Sequence, residues 1–335
     1  MQTADPPETL PKDDTGRNGL LEMYQAMRRI RRFEEVIGDC SAAGEFKGPT
    51  HLYIGQEAVA VGVCRALRTD DYVFGGHRSH GHYLAKGGDL SALAAEIFTR
   101  STGCSRGRGG SMHLTSPDVG VLGTSALVGG GMGTGVGSAL ASARRGLDRV
   151  TAIFFGDGAI EEGVFHEAMN FAALYKLPVI FACENNLYAS HMPLAIRQPK
   201  DQLHEHADPY GIPGIRVDGN DVVAVLETAR EAVHRARAGQ GPSFIEAMTY
   251  RWRGHVGPGW DRDFNIRPES EISAWLKRDP IPRLGRRLVA TGVATETELG
   301  AIDAEVESEV AAAIEFARGS EFPKVEELLD FVYSS

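Results

Sequence analysis

Two short patterns in this chain have the residue types and spacing to hold a phosphorylated ligand through a metal ion. The apolar run Val150 to Phe155 leads straight into Gly156-Asp157-Gly158, and a second run, Pro178 to Cys183, leads into Asn185-Asn186. In open α/β sheets, ligands bind beyond the carboxyl ends of the strands, where helix N-termini also point. Free N–H groups and the positive end of a helix dipole favour a phosphate there. The glycines let backbone approach phosphate oxygens without an intervening Cβ. Asp157 supplies a hard carboxylate oxygen suited to Mg²⁺, and an asparagine amide supplies a neutral second oxygen. A bare Gly-Asp-Gly is usually only a turn. Here the strand before it and the Asn-Asn pair 26 residues after it raise it above a turn.

The elements that must position these residues follow from periodicity. Helical spacing is expected over Leu20 to Ala43, Ala58 to Leu67 and Leu90 to Thr99, the last started by Asp89 and Ser91. Val150 to Phe155 reads as a strand, Glu161 to Tyr175 as a helix and Pro178 to Cys183 as a strand. Val222 to Ala238 then reads as a helix and Ser243 to Met248 as a strand. Strands alternating with helices predict an α/β fold, a parallel sheet covered by helices on both faces. Between Gly103 and Gly137, twelve of 35 residues are glycine without a three-residue period, which favours closely packed loops around a ligand. Residues 1–19 read as a flexible tail, and residues 20–335 as one domain with a helical C-terminal extension from about 271.

Composition narrows the class. Hydrophobic content of 42% and charged content of 24% suit a globular protein, and the net charge of −10 argues against a nucleic-acid surface. No apolar run is long enough to span a membrane. The acidic, Pro-rich tail resembles neither a secretory signal nor a transit peptide. Cys40, Cys64, Cys104 and Cys183 lack CxxC spacing and read as reduced, packed thiols, so a cytoplasmic location is expected.

The diphosphate and metal pattern matches the thiamine diphosphate motif, and five further segments extend the match. They are His51-Leu52-Tyr53-Ile54-Gly55-Gln56-Glu57-Ala58, His77-Arg78-Ser79-His80-Gly81-His82, Gly109-Gly110-Ser111-Met112-His113, Glu184-Asn185-Asn186 and Thr249-Tyr250-Arg251. With these the chain resembles, from about Tyr24 onward, the α subunit of the 2-oxo acid dehydrogenase E1 family, which includes pyruvate, branched-chain and acetoin dehydrogenases. His77 to Gly87 looks nearest the acetoin branch. The resemblance implies a thiamine-diphosphate-binding fold of the diphosphate-binding type. It also implies Mg²⁺ held by Asp157, Asn186 and the backbone carbonyl of Tyr188. Arg78 and Arg251 match the arginines that grip the diphosphate, a task suited to a planar guanidinium fork. His77, Gly156, Gly158, Ala159 and His255 would line the cofactor, and the backbone at Leu127 and Val128 would meet its aminopyrimidine.

Among eleven histidines, His51, His80 and His255 fall on segments that resemble the family's active site, and these three are the candidate catalytic residues. Thiamine-dependent chemistry moves protons near neutral pH, where imidazole is suited to the work. A loop-ordering role is the alternative for His80. His113, His166, His204, His206 and His234 carry no motif. The chain departs from the family in four places. Val256-Gly257-Pro258 stands where phosphorylated serines are common, and Arg253 where His or Gly is common. Ser125-Ala126 replaces Asn-Gly, and Glu161-Glu162 replaces Asn-Gln.

The resemblance also implies an absent half. The family's aminopyrimidine glutamate lies on a separate domain for which 335 residues leave no room, so an E1 β-type subunit in an α2β2 heterotetramer is expected. The expected function is decarboxylation of a small 2-oxo acid, or cleavage of an acyloin such as acetoin, with transfer to a lipoyl E2 component. The alternatives are a stand-alone carboligase and a non-catalytic scaffold. A Rossmann nicotinamide site at Gly131-Met132-Gly133 is disfavoured, because no convincing strand precedes it.

Overall fold

The computed structural model describes residues 16–327, 329 and 330. In chain order the helices and strands begin with α1 (Gly16–Ala42), α2 (Glu57–Arg65), β1 (Tyr72–Gly75), α3 (His80–Ala85) and α4 (Leu90–Ile97). Next come β2 (Val121–Thr124), α5 (Gly130–Arg144), β3 (Thr151–Gly156), α6 (Gly163–Leu174) and β4 (Val179–Asn185). A small hairpin, β5 (Tyr188–Ala189) and β6 (Met192–Pro193), precedes α7 (Leu194–Arg197), β7 (Gly214–Asp218), α8 (Val222–Arg237) and β8 (Ser243–Met248). Three helices follow, α9 (Glu269–Leu276), α10 (Pro280–Ala290) and α11 (Glu296–Gly319).

Six strands form one sheet in the order β2-β1-β3-β4-β8-β7, and every pairing in it is parallel. Helices α5 and α6 cover one face through Met132, Val136, Phe165 and Met169 packed on Ile153, Phe155 and Phe181. Helices α2 and α8 cover the other, where Val59, Val63, Val225 and Ala229 meet Phe154, Ile180 and Ile245. The expected two-sided α/β architecture is therefore present. Beyond that second face, α1, α4, α10 and α11 share a further core with Met27, Phe33, Leu93, Leu288 and Val310. The buried Arg31 locks this layer to the sheet helices, holding Glu57 of α2 at 2.6 Å and Asp279 before α10 at 3.1 Å.

Local boundaries have local causes. Helix α1 starts at Gly16, inside the segment expected to be tail; residues 1–15 of that tail lie outside the described residues. Asp89 caps α4 by accepting the Ala92 N–H, and Thr99, at φ 57°, prevents the helix from reaching the expected end. The Gly-rich stretch is not all loop, which corrects that expectation. Its second half is helix α5, and a Cβ at Gly135 would fall 2.6 Å from Ile153 Cδ1. Glycine there trades helix propensity for close contact with β3. Its first half wraps a protein carboxylate instead of a ligand. The fully buried Glu96 accepts the backbone N–H groups of Ser105, Gly107, Gly109 and Gly110 at 2.7 to 3.1 Å.

The chain leaves β1 for β2 on one side and returns to β3 on the other. That reversal opens a crevice at the carboxyl ends of β1 and β3, the usual ligand position in such sheets.

Candidate active site

A cavity of about 470 Å³ occupies this crevice. Gly75 and Gly76 at the end of β1, Gly156 to Ala159 after β3, and Glu184, Asn186 and Tyr188 around the end of β4 form its floor. Strand pairing sets Gly156 beside Glu184, which brings the two motifs to the same edge. The expected helix at Glu161 is displaced. Asp157–Glu161 forms a 3-10 turn, Glu162 is extended at ψ 137°, and α6 starts only at Gly163. The N-terminal turn that reaches the cavity is that of α5, through Gly129, Gly131 and Met132.

Asp157 is 1% exposed. Burial pushes its carboxyl up, and the Arg197 guanidinium pulls it back. Arg197, whose side chain is also buried, pairs with both Asp157 and Glu161. Asn186 donates its amide nitrogen to Gln56 Oε1 at 2.9 Å, and its oxygen accepts the Tyr188 N–H at 3.3 Å. Gln56 thus fixes which way the amide faces. Asp157, Asn186 and Tyr188 all line the cavity, and a carboxylate, an amide oxygen and a peptide carbonyl are hard donors of the kind Mg²⁺ takes. Gly158 allows this closeness, since a Cβ there would meet Ala189 Cβ at 2.8 Å.

The opposite wall is cationic. Arg78 is buried and donates to the Leu52 carbonyl at 2.6 Å and the His255 carbonyl at 3.0 Å. Burial and the nearby Arg251 push its guanidinium down to about 9. Arg251 is buried too, pairs with Asp261 at 2.8 Å and leaves Nε without a partner. Two buried, mutually repelling guanidiniums favour an anion between them. His51 Nδ1 and Gln56 Nε2 in the same wall also lack partners. These features fit a diphosphate.

His51, His77 and His255 converge, with ring centroids 4.6 to 5.3 Å apart. Burial first, then Arg78, lowers each imidazole, His51 to about 2, His77 to about 3 and His255 to about 4. All three are therefore neutral at pH 7. Leu127 and Val128 stand at the rim with apolar side chains 72% and 50% exposed.

His80 is not brought to the cavity. It is buried behind the wall, with Nδ1 on Glu34 at 3.0 Å and Nε2 facing Ser111 Oγ at 2.9 Å. Glu34 also accepts the Tyr53 N–H at 3.0 Å. His80 is thus linked to the 51–56 loop through Glu34 and to the 109–113 loop through Ser111, an arrangement that fits its loop-ordering alternative. Sequence reading missed Gln56, His82, Glu184 and Arg197 as site residues. His82 stacks on Phe154 at 4.1 Å and donates to Glu184 at 2.9 Å, and Glu184 also takes the Tyr53 hydroxyl. Gln56, His82 and Glu184 lay within quoted motifs, which was a usable signal; Arg197 had none.

Comparison with known proteins agrees with this geometry. Residues 25–326 match the family described as Dehydrogenase E1 component. The α subunit of acetoin:2,6-dichlorophenolindophenol oxidoreductase from Bacillus subtilis is 42% identical over 315 residues, covering 94% of this chain and 93% of that protein. The pyruvate dehydrogenase E1 component subunit alpha of Porphyra purpurea is 41% identical over 322 residues, with 94% and 93% covered. The same subunit from Rhizobium meliloti is 42% identical over 309 residues, with 92% and 88% covered. The chain therefore belongs to the dehydrogenase E1 component family, as an α-type member of a group of thiamine-diphosphate-dependent oxidoreductases.

Proposed function

We propose that this chain is the diphosphate-holding half of an enzyme that decarboxylates a small 2-oxo acid, or cleaves an acyloin such as acetoin, and passes the acyl group to a lipoyl E2 component. The observation that carries the reading is the meeting, in one cavity, of a hard oxygen donor set, two buried arginines and three neutral histidines. Asp157, Asn186 and the Tyr188 carbonyl would hold Mg²⁺, and Arg78 and Arg251 would grip the diphosphate. When bound, thiamine diphosphate supplies the carbon nucleophile and the electron sink for cleavage next to a carbonyl.

The chain's own residues do the rest. Gly75, Gly76, Gly156 and Gly158 keep side chains out of the diphosphate's path. His51, His77 and His255 line the same cavity as imidazoles held neutral by burial beside Arg78, and a diphosphate between the arginines would offset that charge and raise them toward the range in which imidazole exchanges protons. His80 keeps the loops that carry His51 and Met112 in register through Glu34 and Ser111.

A β-type partner would complete the site. Exposed Leu127 and Val128 at the cavity rim support this, since a partner surface there would bury apolar area. The names of the relatives, all α subunits, support an α2β2 assembly. The described residues read as one domain, because the helices from Glu269 onward share the core of α1 and α4. Among the described residues no helix is long and apolar enough to cross a membrane, and the four cysteines are free, which fits a cytoplasmic location.

The test is co-expression with a β-type chain, followed by a panel of 2-oxo acids and acyloins with an artificial electron acceptor. Acceptor reduction by at least one donor class is expected. Carbon–carbon ligation to an aldehyde with no acceptor reduction would replace this reading with a carboligase. Normal turnover by the α chain alone would refute the shared site.

A further inference from the structure

The three histidines at the cavity mouth also form a nitrogen-donor set, separate from the oxygen set around Asp157. Their ligating nitrogens all lie within 4.8 Å of one another. A first-row divalent ion with M–N bonds of about 2.0–2.1 Å needs these nitrogens roughly 3.4 Å apart. The remaining closure is at most about 1.4 Å. It is within reach because His51, His77 and His255 all sit outside helices and strands. The rings are tilted or edge-on to one another, so no stacked pair has to be broken. His51 Nδ1 is buried without a partner.

We propose that His51, His77 and His255 form a binding site for a borderline transition-metal ion such as Zn²⁺, and that occupancy blocks the reaction. Binding follows from the histidine geometry alone; the blockade rests on the function proposed above. Imidazole nitrogens select Zn²⁺ or Co²⁺ over Mg²⁺, whereas the oxygen set around Asp157 suits Mg²⁺. The imidazoles are already neutral, so no proton has to leave for the ion to bind. The neighbouring guanidiniums oppose a dication, although Arg251 shares Asp261 with Arg267 and Arg78 turns its terminal nitrogens onto two carbonyls. The site is therefore expected to be weaker than a structural zinc site and reversible.

The test is calorimetric titration of Zn²⁺ into the full chain in excess Mg²⁺, with Co²⁺ absorption as the reporter of tetrahedral nitrogen ligation. One equivalent of Zn²⁺ is expected. His77→Gln and His255→Gln should each weaken it at least about tenfold, roughly 1.4 kcal/mol, and Asp157→Asn should leave it unchanged. His77 and His255 are both partly exposed, so either variant decides the matter should the other fail to fold. No binding, binding indifferent to both histidine substitutions, or loss confined to Asp157→Asn would overturn the site. A parallel titration with thiamine diphosphate and Mg²⁺ separates the two claims, because Asp157→Asn should lose that ligand while keeping Zn²⁺.

Discussion

Glu96→Gln probes how the glycine-rich segment is held. One Glu96 oxygen accepts the N–H groups of Ser105 and Gly107, and the other those of Gly109 and Gly110. A glutamine is isosteric, but whichever way its amide turns, its NH₂ faces two backbone donors. Two hydrogen bonds to a charged acceptor are lost, each worth about 1.5–3 kcal/mol. The loop donors are only partly buried, so water recovers some of this, and about 3 kcal/mol is the expected loss of local stability. Amide hydrogen exchange should therefore accelerate roughly a hundredfold across residues 105–110. Protection in β3 and β4 should change much less. A change in the loop below about 1 kcal/mol, or a loss of protection spread evenly over the sheet, would refute the assignment of Glu96 as the loop's organiser.

Three further outcomes follow from the site. Arg197→Met leaves Asp157 and Glu161 without their shared cation, so the metal-free chain should lose about 3–5 kcal/mol. Added Mg²⁺ should then raise the Tm of the variant more than that of the parent, and equal shifts would count against this pairing. Gly158→Ala should weaken thiamine diphosphate binding, because its Cβ would sit 2.8 Å from Ala189 Cβ; unchanged affinity would contradict the close approach. Unfolded imidazoles protonate near pH ~6.5, whereas folded His255 does so only at about 4. Between these values the unfolded chain binds more protons, so stability falls as pH drops through that window and is fully present above it. Denaturant midpoints from pH 7 to 4 should fall less steeply for His255→Gln than for the parent, and parallel profiles would refute the shift.

The core of the sheet was legible because its residues carry strong periodic signals. Val150 to Phe155 and Pro178 to Cys183 are buried on both faces, so their apolar runs are continuous, and Ser243–Met248 matched to the residue. Strands β1, β2 and β7 were not seen. Each has four or five residues, β2 lies inside the glycine-rich stretch, and β7 is a half-exposed edge reading Gly-Ile-Arg-Val-Asp. Helix α5 was hidden because its glycines answer to the packing of Ile153, a contact no local propensity encodes. In the site, the motif residues Asp157, Asn186, Tyr188, Arg78 and Arg251 meet at one cavity. Arg197 was invisible because its partnership with Asp157 crosses 40 residues and depends on the β5–β6 hairpin turning α7 back. His80 is the converse case: its motif gives no sign that Glu34 and Ser111 enclose it away from the cavity, and only the structure shows this.

The most direct test of the account is equilibrium binding of thiamine diphosphate to this chain assembled with a β-type partner, measured with and without Mg²⁺ for the parent and Asp157→Ala. The account predicts Mg²⁺-dependent binding by the parent and none by the variant, with the variant's fold intact by circular dichroism. Tight, Mg²⁺-independent retention of thiamine diphosphate by Asp157→Ala would contradict it.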